Sequence, residues 1–252
     1  MNDGARRLMI AALGSVVAGP TLAADEAPLD PDRWRVDGAV YVWGAAIGAE
    51  TTSGDDIQID FAELFENLNF GAMGTLEVRK GKWAALTDLI YLNVEGSDQT
   101  TASVVGLPVA ASAKVNLQGV ISTTAGGYQV LSTGSTGIDL MGGVRYLWLD
   151  TDLAFDIGRL QRKTSQAGST VDGIIAVRGR TDLTDRWYLS YYADVGTGQS
   201  DFTWQALGTV NYSVGRVDLA VGYRYLRWNL ANQDLLDDLD IQGPMLGVRF
   251  SF

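Results

Sequence analysis

The sequence predicts an all-β fold, a closed antiparallel transmembrane β-barrel of about ten strands, and three observations carry that expectation. Apolar and polar side chains alternate with period two over segments long enough for a tilted strand to cross a bilayer. Past the first 23 residues, no apolar run is long enough for a membrane helix. A chain built for lipid without such helices is left with the closed barrel, because backbone N–H and C=O groups in lipid must pair. Glycine is plentiful at 30 and proline scarce at 5, which suits many turns and close strand crossings.

The amino end reads as an export leader. Arg6 and Arg7 give a positive start, Leu8–Val17 is apolar apart from Gly14 and Ser15, and Thr21-Leu22-Ala23 offers small residues before a cut. Residues 1–23 are expected to be a signal peptide, 24–33 a periplasmic N-terminal segment and 34–252 the barrel. An exported chain without cysteine has no disulfide, so burial and hydrogen bonding hold the fold. A formal charge of −11 with no basic stripe argues against nucleic acid as a partner.

Ten strands are expected in order. In Trp34–Gly48, Val36, Val40 and Val42 alternate with Asp37, Tyr41 and Trp43, and either face suits the outside. Phe70–Arg79, Lys82–Asn93 and Ala113–Leu131 follow. In Ile138–Leu153, Leu140, Val144, Tyr146 and Trp148 interleave with Asp139, Met141, Gly143 and Arg145. Ser169–Leu183 precedes Arg186–Gly198, where Trp187, Leu189, Tyr191, Ala193 and Val195 oppose Tyr188, Ser190, Tyr192 and Asp194. Asp201–Val214, Arg216–Leu230 and Leu239–Phe252 complete the set. Trp and Tyr gather at strand ends as in a membrane girdle, and the opposite face carries mid-strand charges that a packed sandwich core would not accept unpaired.

Tight periplasmic turns are expected at Lys80-Gly81, Ser132–Gly137, Thr184-Asp185 and Gly215. Longer links, Ala49–Asn69, Val94–Ser112, Ala154–Gly168 and Ala231–Asp238, fall on the other side. Thr197–Ser200 is short where a long link is due, and mispairing there would make the count 8 or 12. Phe61, Leu64, Phe65 and Leu68 recur at helical spacing behind Asp60-x-x-Glu63, predicting a short amphipathic helix, either a rim lid or a docking surface. Gln233–Asp240, with Asp234, Asp237, Asp238 and Asp240, reads as a solvated acidic loop and lacks the glycine-containing pattern of a calcium site.

With the apolar set facing lipid, the lumen receives Glu77, Arg79, Asp88, Arg145, Arg178, Arg180, Asp194, Asp218, Arg224 and Arg249. Ten strands enclose a space little wider than side chains fill, so these charges must pair. The resulting arginine–carboxylate network either holds the barrel shut or lines a narrow polar path that favours anions. The chain has no histidine, which removes Ser–His and Asp–His acid–base pairs and any His-based zinc site. Asp150 and Asp152 share a strand face and read as a polar rim. No metal site or cofactor is expected.

The final strand, Met245-Leu246-Gly247-Val248-Arg249-Phe250-Ser251-Phe252, resembles the C-terminal assembly signal of bacterial outer-membrane barrels, with Gly247, Phe250 and Phe252 at its key spacings. Asp194-x-Gly196-x-Gly198, Ser200–Gln205, Gly222-Tyr223-Arg224-Tyr225, Gly243-Pro244 and the Phe61–Leu68 segment followed by Trp83, Asp88 and Tyr91 resemble a family of uncharacterised small proteobacterial outer-membrane β-barrel proteins. That resemblance implies a fold and no single activity. It implies the bacterial outer membrane as location, and as partners lipid, lipopolysaccharide and the barrel assembly machinery. The expected protein is a monomeric, non-enzymatic barrel with a largely closed, charge-networked lumen, serving envelope integrity or surface interaction. The alternative is a narrow porin-like channel for small solutes, anions included.

Overall fold

In a computed structural model, residues 33–51, 56–59, 68–104, 107–157, 160–230 and 236–252 are described, and the expected signal peptide lies outside them. Alternation puts one set of side chains on each face of every strand, and closing the sheet turns those faces into an inside and an outside. The strands are β1 (Trp34–Trp43), β2 (Ala46–Thr51), β3 (Asp56–Ile59), β4 (Leu68–Lys80), β5 (Trp83–Val104) and β6 (Leu107–Ser132). They continue as β7 (Thr136–Ile157), β8 (Leu160–Asp182), β9 (Trp187–Gly198), β10 (Phe202–Val214), β11 (Val217–Asn229) and β12 (Leu236–Ser251). Each neighbouring pair is antiparallel, and β12 returns to β1 from Asp37↔Ser251 to Trp43↔Met245.

The barrel has ten staves among the described residues, because β1 and β2 form one stave broken at Gly44-Ala45 while β3 pairs only with β2. The break has a steric cause. A Cβ on Gly243 would stand 1.9 Å from the Gly44 carbonyl oxygen, and the neighbouring Pro244 brings no N–H to the ladder. Gly44 N–H donates instead to the Pro244 carbonyl at 2.8 Å, and pairing resumes at Ala46↔Gln242.

The tight turns stand at one rim. Gly81 and Gly215 take φ of 55° and 69°, the left-handed region that a Cβ disfavours. The opposite rim departs from expectation. Within the expected links Val94–Ser112 and Ala154–Gly168, the described residues are strand: β5 and β6 stay paired to Val104↔Leu107, and β7 and β8 to Ile157↔Leu160. The β4–β5 ladder stops at Leu68↔Val94 and the β8–β9 ladder at Asp172↔Gly198, so β5–β8 stand beyond the rim as a four-stranded sheet. Outside lipid a strand needs no apolar alternation, only backbone pairing, which is why these segments did not read as strand.

Two other expectations change. Leu68, placed at the end of the amphipathic helix, opens β4, and residues 60–67 lie outside the described set. Leu236–Asp240 belongs to β12, not to a solvated acidic loop, and Arg227 holds Asp238 at 2.9 Å and Asp240 at 3.6 Å. The short β9–β10 connection keeps its expected length because β8 holds it. Ser200 N–H donates to Asp172 Oδ1 at 2.9 Å, and Gln199 exchanges bonds with the Val171 backbone at 2.8 and 3.1 Å.

Val40, Val42, Leu76, Leu89, Ile175 and Leu246 are exposed on the outer wall, which settles the direction of β1. Aromatic pairs border that apolar band. Trp83–Tyr128 and Trp187–Tyr212 face each other across ladders at the turn rim, 5.0 and 4.8 Å between ring centres. Phe70–Tyr91 and Trp204–Tyr225 do so toward the other rim at 5.8 and 4.7 Å. An apolar belt between aromatic rows is the surface that a bilayer, not water, requires.

Candidate functional site: the barrel lumen

Inside, the inward residues of the strands build three levels. Nearest the turn rim, Glu77 on β4 is ringed by three guanidinium groups. Arg178 Nη2 donates to its Oε2 at 2.5 Å, Arg249 reaches the same oxygen at 3.3 Å, and Arg79 stands 3.5 Å from Oε1. Arg79 is also paired with Asp139, and Arg249 with Asp37 at 2.9 Å. Asp218 is held by hydroxyls, from Tyr188 at 2.5 Å and Ser213 at 2.7 Å.

At mid-height sit two separate arginine centres. Arg224 on β11 donates to Tyr41 at 2.9 Å, to Asp88 Oδ2 at 2.8 Å and to Gln205 at 3.0 and 2.6 Å. Asp88 Oδ1 accepts from Tyr41 and Thr75, both at 2.8 Å, so both of its oxygens are bonded. Arg145 on β7 is paired with Asp194 and donates to Thr203 at 3.0 Å and Thr123 at 3.3 Å. The Arg145 and Asp194 side chains are both 0% exposed, so this pair interacts in a low-dielectric setting.

Toward the loop rim the lumen turns apolar. Trp43, Ile90, Leu147, Leu226, Trp228 and Ile241 lead a buried cluster that fills the bore. The tryptophans join the two levels: the Arg224 guanidinium faces the Trp43 ring at 5.0 Å and that of Arg145 faces Trp228 at 5.7 Å.

Of the residues expected in the lumen, Glu77, Arg79, Asp88, Arg145, Arg178, Asp194, Asp218, Arg224 and Arg249 are drawn into these levels. Arg180 is not. It lies half-exposed at the turn rim, bonded to Asp182 at 2.8 Å and stacked 3.6 Å from the Tyr188 ring centre. Sequence reasoning did not single out Asp37, Asp139 and Asp172, all buried. Asp139 alternates in phase with Arg145, and Asp37 with Tyr41 and Trp43, so the face was legible though the partners were not. The apolar plug was missed because its inward Leu, Ile and Trp residues break the polar-inside rule. Asp150 and Asp152 stand on β7 opposite Gln118 and Asn116.

A polar, ion-paired interior inside an apolar, aromatic-bordered wall is the reverse of a water-soluble protein. The chain has the fold of an integral membrane β-barrel. No protein-family model matches it, and no curated protein matches its sequence. Among solved structures it is similar to the translocator domain of autotransporter NalP from Neisseria meningitidis, at 15% identity, 87% of this chain, 88% of that chain and TM-score 0.48. It is also similar to the outer membrane protease OmpT from Escherichia coli, at 11% identity, 88% and 97% coverage and TM-score 0.46. The attachment invasion locus protein Ail of Yersinia pestis follows at 9% identity, 88% and 99% coverage and TM-score 0.35. The architecture rests on this chain's own strand pairing.

Proposed function

We propose that the protein is a sealed, non-enzymatic, monomeric barrel that serves envelope integrity or surface interaction through the sheet β5–β8 raises beyond the rim. The apolar plug carries this reading: Trp43, Leu226 and Trp228 are 0–2% exposed and fill the bore above the two arginine centres. A solute would have to displace close-packed tryptophans and break buried ion pairs, which a thermally driven pore does not do readily. The charges below the plug are committed to holding staves together, and Glu77 alone links β4, β8 and β12. The absence of histidine and cysteine from the sequence supports a role without acid–base or thiol chemistry. Gly247, Phe250 and Phe252 on the closing strand are the proposed handle for the assembly machinery, with Phe252 fully outward at 80% exposure. The exposed wall is the proposed contact for lipid and lipopolysaccharide.

Single-channel recording from refolded protein in a planar bilayer tests the seal. Silence is expected from protein whose folding is verified by its heat-dependent gel shift, and discrete reproducible steps would overturn the reading.

A further inference from the structure

Between the Glu77 level and the Arg224 level the barrel is not filled. A chamber of about 180 Å³ lies there, floored by Glu77, Arg178 and Arg249 and roofed by Arg224, Asp88 and Tyr41. Its walls are mainly hydrocarbon, from Leu86, Leu207, Ala39, Ala220 and Met245. The space suits a small organic molecule, since an apolar protein cavity of about 150 Å³ holds benzene.

The polar groups around it differ in what they have left to offer. The carboxylates are engaged: Asp88 takes Arg224, Tyr41 and Thr75, Glu77 takes all three surrounding arginines, and Asp37 faces Arg249 at 2.9 Å, while Gln205 takes two bonds from Arg224. The donors are not used up. Arg79 has Asp139 and Arg249 has Asp37 as further carboxylates, whereas Glu77 is the carboxylate paired with Arg178, on an oxygen Arg249 shares. Its Nη1 is buried with no hydrogen-bond partner. Arg178 is thus the least neutralised cation of the floor, and its side chain is 23% exposed, against 1% for Arg224 in the roof. Access is therefore from the turn rim, while the plug closes the other side.

We propose that this chamber binds a small monocarboxylate with a compact apolar body, entering from the periplasmic side, its carboxylate on Arg178 and its hydrocarbon against Leu86, Leu207 and Ala220. A guanidinium with spare N–H donors matches a carboxylate in shape and charge, and the hydrocarbon walls take the remainder. This goes beyond the sealed-barrel reading, which conductance tests by itself: a barrel that conducts and also binds would sink the seal and leave the chamber.

The test is calorimetric titration of the refolded full chain in lipid nanodiscs with sodium benzoate, and with benzyl alcohol as its uncharged counterpart. Saturable benzoate binding is expected, weakened about tenfold or more in Arg178→Gln, the scale of one lost charge-assisted contact. Arg178→Gln leaves Glu77 with Arg79 and Arg249, so the staves stay tied. Ala220→Leu, opposite Gly247 on the ladder, fills the chamber and is expected to abolish binding. Leu207→Phe replaces it if the gel shift shows that Ala220→Leu does not fold. No saturable heat, equal affinity in wild type and Arg178→Gln, undiminished affinity in the filled variant, or benzyl alcohol binding as tightly as benzoate each overturns the proposal.

Discussion

The guanidinium of Arg224 lies 5.0 Å from the centre of the Trp43 ring while its N–H groups hold Asp88, Tyr41 and Gln205. One residue therefore joins the apolar plug to the charged levels below it, and links β1, β5, β10 and β11 across the bore.

Arg224→Ala leaves the Asp88 carboxylate without a cation in a nearly dry site. A loss of about 3–5 kcal/mol is expected, the scale of breaking one partner of a buried pair. Urea unfolding of the refolded barrel, followed by tryptophan emission, measures it. The double variant Arg224→Met with Asp88→Leu removes both charges and is expected to lose less than the single one.

Arg145 and Asp194 form a second centre on different strands, in which Arg145 also donates to the Thr123 and Thr203 hydroxyls. Arg145→Met and Asp194→Leu made singly should each destabilise more than the pair made together. A double-mutant cycle with a coupling below about 0.5 kcal/mol would show that the two do not act as a unit.

The plug is the part whose removal should change behaviour as well as stability. Trp43→Ala with Trp228→Ala deletes two fully buried rings from the bore, at about 3–5 kcal/mol each. Planar-bilayer recordings of the double variant are expected to show brief openings absent from the parent. A silent double variant would place the seal in the ion pairs alone.

Asp172 anchors the short β9–β10 turn through Ser200 N–H at 2.9 Å. Asp172→Ala should cost about 1.5–3 kcal/mol, the range for a bond to a charged group. It should also speed hydrogen exchange at the Ser200 amide. Unchanged exchange there would mean that Gln199 and Val171 hold the turn without it.

Gly243→Ala tests the broken stave. Its new methyl would meet the Gly44 carbonyl at 1.9 Å, against backbone that cannot step aside cheaply. The heat-dependent gel shift is expected to be lost or to need a lower temperature.

Alternation determined the inward phase of Arg145, Asp194, Asp218 and Arg224, because a period of two assigns every side chain to one of two faces. With mid-strand charges and no membrane helix it pointed to a closed barrel of about ten strands, 8 and 12 remaining open until the pairing closed ten staves. Turn chemistry placed the tight turns, since Gly81 and Gly215 mark backbone that needs positive φ. Tertiary structure alone decided who meets whom across the bore. Arg224 and Tyr41 are 183 positions apart, and no local spacing encodes a contact made by closing a cylinder. It decided as well that inward Trp43 and Trp228 join one buried cluster as a plug, that Arg180 falls at the rim, and that β5–β8 run on past the flanking ladders. The physical reason is the same in each case. Strand stagger sets the height of every inward residue, and height exists only once the sheet has closed.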